Sequence, residues 1–578
     1  MSLLVVTILL TGCRSSAWIM FRYNSLREGT QHLGTDLASP GGVARLQIAA
    51  SDNIGLTSDP RRFRGSPILF NDRVYIGNAN GRFYALNART LQVDWVYPPP
   101  WESALRSQFE FACAGVTFSG NGIASSAAIA DVRDPRTGRT ERAVLFAAPD
   151  PTIAPGYGHG VLFALALEGQ DVVRDGIRYR VGRLIRKSDV LARMTGTTPG
   201  ASGEFHEQLG YSSPLVAFGR IYVGVADHCD NPVQKGRMVV VNESDFTRLR
   251  SQEFCSAGTC VDDRQIGGGI WSSVAGFRDS VYITTGNARN GYAAGSPGPT
   301  PNHALSMVRI NAYTGEMIWK HQPVPYSMDD DPDWASGTTI AATAGCGDVA
   351  VSTMKDGYTH AMIVDRSTTP RAAAPVRWVF PPAPLPFRPG DGTVHVDTQY
   401  KRPGAMMRDV FVTSTAGWNA SSGNLRAGYT RLFGLNVCAP SHEQRIRWIF
   451  QPPDSSFTIA CRNLALWDGA TVYEGVGRNC LGPPTTAGWV GFVGTEGGHL
   501  VAFADPIAEG PSAEWICTNP GIPVAQMCTA MNYTVVPVPR VLVDRDLQAG
   551  PIMTEPIIVG DSVYVATDGG RVFRLAPR

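Results

Sequence analysis

Short runs of alternating apolar and polar residues, each closed by a turn signal, recur along this chain. The clearest unit opens at Gly65-Ser66-Pro67 and continues through Ile68-Leu69-Phe70, an Asn71-Asp72 turn and the alternating Val74-Tyr75-Ile76-Gly77. It then passes an Asn80-Gly81 hairpin and Phe83-Tyr84-Ala85-Leu86 to a closing Trp95. Side chains of a strand point to opposite faces in turn, so such runs predict half-buried strands, and Asn-Gly predicts the tight reversal between two of them. Four strands in sequence make one sheet. The pattern returns at Ser212-Ser213-Pro214 with Ile221-Tyr222-Val223, at Trp271-Ser272-Ser273 with Val281-Tyr282-Ile283, and at Thr554-Glu555-Pro556 with Val563-Tyr564-Val565.

Weaker copies fill the intervals: Ser125-Ser126-Ala127 with Val144-Leu145-Phe146, Gly337-Thr338-Thr339 with Val349-Ala350-Val351, Val410-Phe411-Val412 with Leu432-Phe433, and Val490-Gly491-Phe492-Val493 with Leu500-Val501. One such sheet cannot bury both faces alone, so the units are expected to stack radially and close on themselves. The expected fold is all-β, an eight-bladed β-propeller with long rim loops. Trp95, Trp319, Trp378, Trp448 and Trp515 follow the third strands and are expected to wedge between blades. Asp171 to Phe205, Pro384 to Pro403 and Pro452 to Pro484 read as rim loops rather than blade strands, and Val181 to Met194 carries the first amphipathic helical pattern.

Composition agrees with a turn-rich β protein, with 62 glycines and 41 prolines among 578 residues. The 51 lysines and arginines against 50 aspartates and glutamates leave a net charge of +1, so no bulk field favours nucleic acid. Ser2 to Leu10 is apolar but too short to span a bilayer, and it leads into Leu10-Thr11-Gly12-Cys13. That ending resembles a bacterial lipobox. Residues 1–12 then read as a lipoprotein signal peptide, 13–64 as the lipid-anchor cysteine, tether and N-terminal closing strand, and 65–578 as the propeller. With Arg14 after Cys13, the resemblance implies an outer-membrane lipoprotein facing the periplasm or cell surface, held to the membrane only through its lipid. A plain secretory signal and a chance cysteine are the alternatives. The ten further cysteines suit disulfides of an exported chain, with Cys255–Cys260, Cys461–Cys480 and Cys517–Cys528 as plausible local loops. No Cys-x-x-Cys-His is present, so covalent haem is not expected.

Asn311-Ala312-Tyr313-Thr314-Gly315-Glu316-Met317-Ile318-Trp319 resembles the tryptophan-docking repeat of quinoprotein, that is pyrroloquinoline quinone (PQQ)-dependent, alcohol dehydrogenases. Gly267-Gly268-Gly269-Ile270-Trp271 is similar to the segment whose tryptophan floors the quinone, and its Gly-Ile-Trp-Ser-Ser form resembles the polyvinyl-alcohol-dehydrogenase branch. Gly286-Asn287 is similar to the segment whose asparagine oxygen binds calcium. Asp333 stands where the family has its catalytic aspartate, and Lys355 matches the cation beside the quinone oxygens. The resemblance implies PQQ and Ca²⁺ as cofactors: the hard cation polarises a quinone carbonyl, Asp333 removes the alcohol proton and borders the metal, and Lys355 stabilises developing negative charge. The family's metal-binding glutamate is missing from Val223 to Asp230, where Asp230 or Asp227 could substitute, and no two cysteines are adjacent.

The bland readings are an inter-blade Trp271, a turn residue at Asn287, a solvated acidic loop around Asp333 and a hairpin lysine at Lys355. His228-Cys229-Asp230 looks metal-like, but Cys229 reads better as half of a disulfide. Two functions follow. One is an alcohol oxidation needing a separate electron acceptor; the other is a non-catalytic propeller lipoprotein that binds envelope proteins.

Overall fold

In the computed structural model the described residues are 17–32, 34–54, 63, 65–107, 110–113, 116–119, 122–153, 158–194, 207–209, 212–226, 236–254, 267–287, 303–323, 334, 336–354, 358–380, 404–415, 431–450, 481–495, 497–511, 513–516, 535–552 and 554–578. They form eight antiparallel four-stranded blades, in each of which the strand nearest the axis comes first. Blade 1 is Ile68–Phe70, Arg73–Gly77, Phe83–Asn87 and Val93–Tyr97; blade 2 is Ala128–Arg133, Thr140–Asp150, His159–Arg174 and Ile177–Lys187. Blade 3 spans Leu215–Ala217 to Arg248–Phe254, blade 4 Ala275–Phe277 to Met317–His321, blade 5 Thr339–Ala341 to Val376–Phe380, and blade 6 Ala405–Met407 to Ile446–Phe450. Blade 7 runs from Thr485–Ala487 to Arg540–Asp546. In blade 8, Ile557–Val559, Ser562–Ala566 and Arg571–Pro577 take their fourth strand from the N-terminal Leu46–Asn53, which closes the ring.

First strands of blades 2 to 5 touch in succession, as do those of blades 6 to 8, so the sheets stand around one axis. Antiparallel order then separates two ends. The linkers entering the first strands, and the turns after the second strands, share the linker end; the turns after the first strands make the opposite end.

Tryptophans tie neighbouring blades together. The Trp95 indole N–H donates to the Leu167 carbonyl of blade 2 at 3.0 Å, Trp378 to Val437 of blade 6 at 3.1 Å, and Trp448 to the Asp505 carboxylate at 3.1 Å. Each is a large apolar body whose one polar atom finds a partner when buried. Phe83 stacks on Phe146 of blade 2 at 4.1 Å between ring centres, and Phe450 on Phe503 of blade 7 at 4.4 Å.

Three expectations need correction. Asp171 to Lys187 is not a rim loop but part of a long hairpin whose Asp175-Gly176 turn has φ of 53° and 77°. Gly169 and Gly182 let that hairpin lie on Trp95, since a Cβ on either would come within about 3 Å of the ring. The helical pattern beginning at Val181 is correspondingly a strand to Lys187, held by pairing on both sides. Trp515 lies in a separate ribbon, Ala513–Ile516 with Val535–Val538, inserted before the outer strand of blade 7. The three local cysteine pairs, and Cys229, lie outside the described residues.

A disulfide between Cys346 and Cys438 joins blades 5 and 6 across a separation of 92 residues. Closing so long a loop restricts the unfolded chain strongly, so replacing both cysteines by serine is expected to cost about 2–4 kcal/mol, read from denaturant midpoints. An unchanged midpoint would contradict a structural role.

The N-terminal residues 17–36 form a finger inside the ring. Its chain enters from the turn end, bends between Arg22 and Arg27, and returns as Thr30–Gln31 parallel to the first strand of blade 7. Backbone bonds tie Trp18 to Leu69 of blade 1 and Ile19 to Ile129 of blade 2, and Ser25, Leu26, Glu28 and Gly29 to Gly276, Ile340, Met406 and Thr486 of blades 4 to 7. The Arg27 guanidinium reaches the Ser213 and Pro214 carbonyls before blade 3, and the Gln31 amide donates to Ile558 of blade 8. One segment thus touches all eight blades and satisfies inner-edge groups that would otherwise be buried without partners.

Candidate functional site

At the linker end of blade 4, glycines bring two of the sequence-predicted residues together. Gly267 and Gly268 have φ of 134° and 73°, a region that favours glycine, and a Cβ on Gly268 would meet the Phe254 carbonyl oxygen at 2.2 Å. This shape lets the Gly268 N–H donate to the Asn287 carbonyl at 2.8 Å and the Gly286 N–H to the Gly269 carbonyl at 2.7 Å. The linker carrying Trp271 is thereby fastened to the turn carrying Asn287. Asn287 is 2% exposed, whereas Trp271 is half-buried. Below them, Ser272 and Thr284 share a hydroxyl bond of 2.5 Å, and Thr284 donates on to the Ser336 carbonyl of the next linker at 3.1 Å.

Asp333, Lys355, Asp230 with Asp227, and Cys13 lie outside the described residues. Their chain neighbours are informative for two of them. Trp334, next to Asp333, is fully buried and meets the His360 ring edge-on at 5.3 Å between centres. Met354, next to Lys355, is buried, and its N–H donates to the Tyr358 carbonyl at 2.9 Å. Among the described residues no group of three or more His, Cys, Asp or Glu side chains is placed to hold a metal ion, so an oxygen-ligated ion at this end would draw on Asn287 and on residues beyond them.

Behind Trp334 lies a histidine pair that the sequence reading missed. His321, ending blade 4, and His360 of blade 5 are 3.1 Å apart, Nε2 to Nδ1, and the buried His360 Nε2 has no hydrogen-bond partner among the described residues. Burial holds His321 down to about 4, and burial with the Lys320 charge does the same for His303. His360 is held well below the usual imidazole range by burial and by His321. All three are neutral at pH 7. Because their folded pKa values are depressed, their contribution to stability is present above about 6.5 and is lost as the pH falls, toward 4 for His321 and His303. Acidification from pH 7.5 to 4.5 is expected to lower the unfolding free energy read by denaturant titration, by no more than roughly 3 kcal/mol for His321 or for His303. The fall should be smaller in His321→Gln; equal slopes in both proteins would contradict this reading.

The axis itself holds charges that the sequence reading also missed. Serines before the first strands form a belt: Glu555 N–H donates to Ser66 Oγ, Ser66 N–H to Ser126 Oγ, Ser126 N–H to Ser213 Oγ and Ser213 N–H to Ser273 Oγ, at 2.7–3.0 Å. Across blades 6 and 7 the Arg22 guanidinium takes over, donating to the Gly404 carbonyl, to Pro484 O at 2.6 Å and to Glu555 Oε1 at 2.9 Å, while the Arg22 backbone N–H donates to Glu555 Oε2 at 3.1 Å. Arg27 donates to Val274 O at 2.8 Å, Phe21 O at 2.6 Å, Ser213 O at 3.2 Å and Pro214 O at 3.1 Å. Both arginines and Glu555 are fully buried. Burial pushes the Glu555 carboxyl up against the opposing pull of Arg22, and burial pulls Arg27 down to about 9, which leaves it charged at neutral pH. A signal existed: Glu555 precedes proline where blades 1 and 3 have Ser66-Pro67 and Ser213-Pro214.

No family model matches the chain, and no curated protein matches it. Solved structures do. A quinohemoprotein alcohol dehydrogenase from Comamonas testosteroni is 15% identical, with a TM-score of 0.62 over 98% of this chain and 81% of that one. The quinohemoprotein alcohol dehydrogenase ADHIIG from Pseudomonas putida HK5 is 13% identical, with a TM-score of 0.59 over 97% and 80%. A europium-containing methanol dehydrogenase is 13% identical, with a TM-score of 0.58 over 97% and 98%. At these identities the likeness is one of fold, and this chain has the eight-bladed propeller fold of quinoprotein alcohol dehydrogenases.

Proposed function

We propose that this protein is an exported PQQ-dependent alcohol dehydrogenase, lipid-anchored through Cys13, whose cofactor sits at the linker end of the axis. The observation that carries the reading is the glycine-built junction holding Trp271 and Asn287 together. These two described residues fit such a group: a half-buried indole offers a flat face, and a buried asparagine offers the neutral oxygen that a hard cation takes. PQQ, when bound, supplies a two-electron acceptor. Trp271 stacks on the planar ligand and orients it. Asn287, with Asp333 and Asp230, would hold the metal. Asp333 would take the proton from the alcohol O–H as general base. Lys355 holds negative charge at the reacting oxygens. A separate electron acceptor, a cytochrome or a quinone, would complete turnover.

The test is a screen of primary and secondary alcohols with the reconstituted protein and an artificial electron acceptor. Turnover that is lost in Trp271→Ala, with the fold intact, supports the reading; no turnover on any alcohol contradicts it.

A further inference from the structure

The finger could have filled the channel with apolar side chains, yet its bend carries two arginines. Their partners fix where that bend lies. Ser213, Pro214, Val274, Gly404 and Pro484, whose carbonyls Arg22 and Arg27 hold, all come just before first strands, at the linker end. Val274 is three residues beyond Trp271. The bend is therefore the inner boundary of the end at which Trp271 and Asn287 sit.

Charge at this boundary is unbalanced among the described residues. Arg22 pairs with the one carboxylate, Glu555, while Arg27 is held by backbone carbonyls alone. Of the finger's two carboxylates, Glu28 is taken up by His32 at 2.7 Å and Asn24 at 3.0 Å, nearer the turn end, and the exposed Asp36 faces Arg45 at 3.8 Å. Carbonyl acceptors satisfy most of the N–H groups but bring no net charge, and the buried Arg22 Nε has no acceptor among the described residues. An unbalanced buried charge is costly, and solvent and salt screen it weakly. An anion seated beside it lowers that cost, and in doing so gains affinity.

We propose that the finger's bend is a charged floor beneath the linker carrying Trp271, and that Arg22 and Arg27 against the single carboxylate of Glu555 make this end of the axis select an anionic ligand. The inference rests on reading the linker end as the binding end, and it assigns the specificity for carboxylate-bearing planar ligands such as PQQ to residues of the N-terminal segment.

The test uses the full chain and two probes, PQQ with calcium and benzene-1,3,5-tricarboxylate, a planar trianion without a quinone. Calorimetric affinities are compared among the wild type, Arg27→Met, which removes the excess charge, and Glu555→Gln, which increases it. Both substitutions disturb a buried network and should lower the melting temperature. Their effects on binding are expected to be opposite: at least about ten-fold weaker in Arg27→Met and several-fold tighter in Glu555→Gln. Weakening in both variants, or no response in either, overturns the inference. PQQ bound equally by all three proteins overturns it while supporting the dehydrogenase. Charge-ordered binding of the tricarboxylate without PQQ binding supports it and contradicts the dehydrogenase. Should the variants fail to fold, the wild type decides alone: the trianion must bind more tightly than benzoate, and benzoate more tightly than benzamide, whereas equal affinities or no binding overturn the inference.

Discussion

Replacing Arg22 by methionine is expected to destabilise the protein by about 3–5 kcal/mol, the cost of leaving a buried carboxylate without its partner. Arg22 and Glu555 are both fully buried, and the same guanidinium serves the Gly404 and Pro484 carbonyls where the serine belt is interrupted. Methionine fills much of the volume but offers no donor, so Glu555 and two carbonyls lose bonds together. Lysine keeps the charge but lacks the planar fork that reaches separate acceptors, so Arg22→Lys should recover only part of the loss. Removing both charges, in Arg22→Met with Glu555→Gln, should be less destabilising than Arg22→Met alone, because the unpaired carboxylate is gone. Urea midpoints measure all three. A loss below about 1 kcal/mol in Arg22→Met would show that the axial ion pair does not hold the finger.

Replacing Asp333 by asparagine is expected to lower kcat for alcohol oxidation by about 10²–10⁴-fold, the usual contribution of a positioned general base. Asparagine keeps an oxygen for a neighbouring cation but cannot accept the proton, so PQQ affinity should change far less than kcat. That split separates a proton acceptor from a residue that merely shapes the loop. Single-turnover rates and a binding titration on the same preparation measure it. A variant with wild-type kcat would remove Asp333 from the chemistry; one that loses kcat and cofactor together would make it chiefly a metal ligand.

Blades were legible because their local chemistry is strict. A Ser-Pro entry, a hairpin signal and alternating Val, Tyr and Ile leave few other structures for Gly65 to Trp95 or for Thr554 to Leu575. The hairpin after Asp171 was misread although Asp175-Gly176 is a strong turn signal, because its strands carry many arginines and one face lies in solvent. Trp515 was misplaced because an inserted ribbon separates the third and fourth strands of blade 7. The Cys346–Cys438 bridge joins residues far apart in sequence, and spacing alone carries no such information. The finger was invisible for the same reason: the bonds that seat it reach residues of all eight blades, and its own sequence, Trp18 to Gln31, shows no periodicity to report that contact. At the candidate site, Trp271 and Asn287 were legible through the glycines beside them. The histidine pair was not, since His321 and His360 meet only when blades 4 and 5 pack.

The most direct measurement is a titration of the purified, signal-free protein with PQQ in the presence of calcium, followed by absorbance and calorimetry. Stoichiometric binding, weakened in both Trp271→Ala and Asn287→Ala, is the predicted result. No binding by a protein shown to be folded would contradict the account and leave the propeller as a scaffold without an axial cofactor.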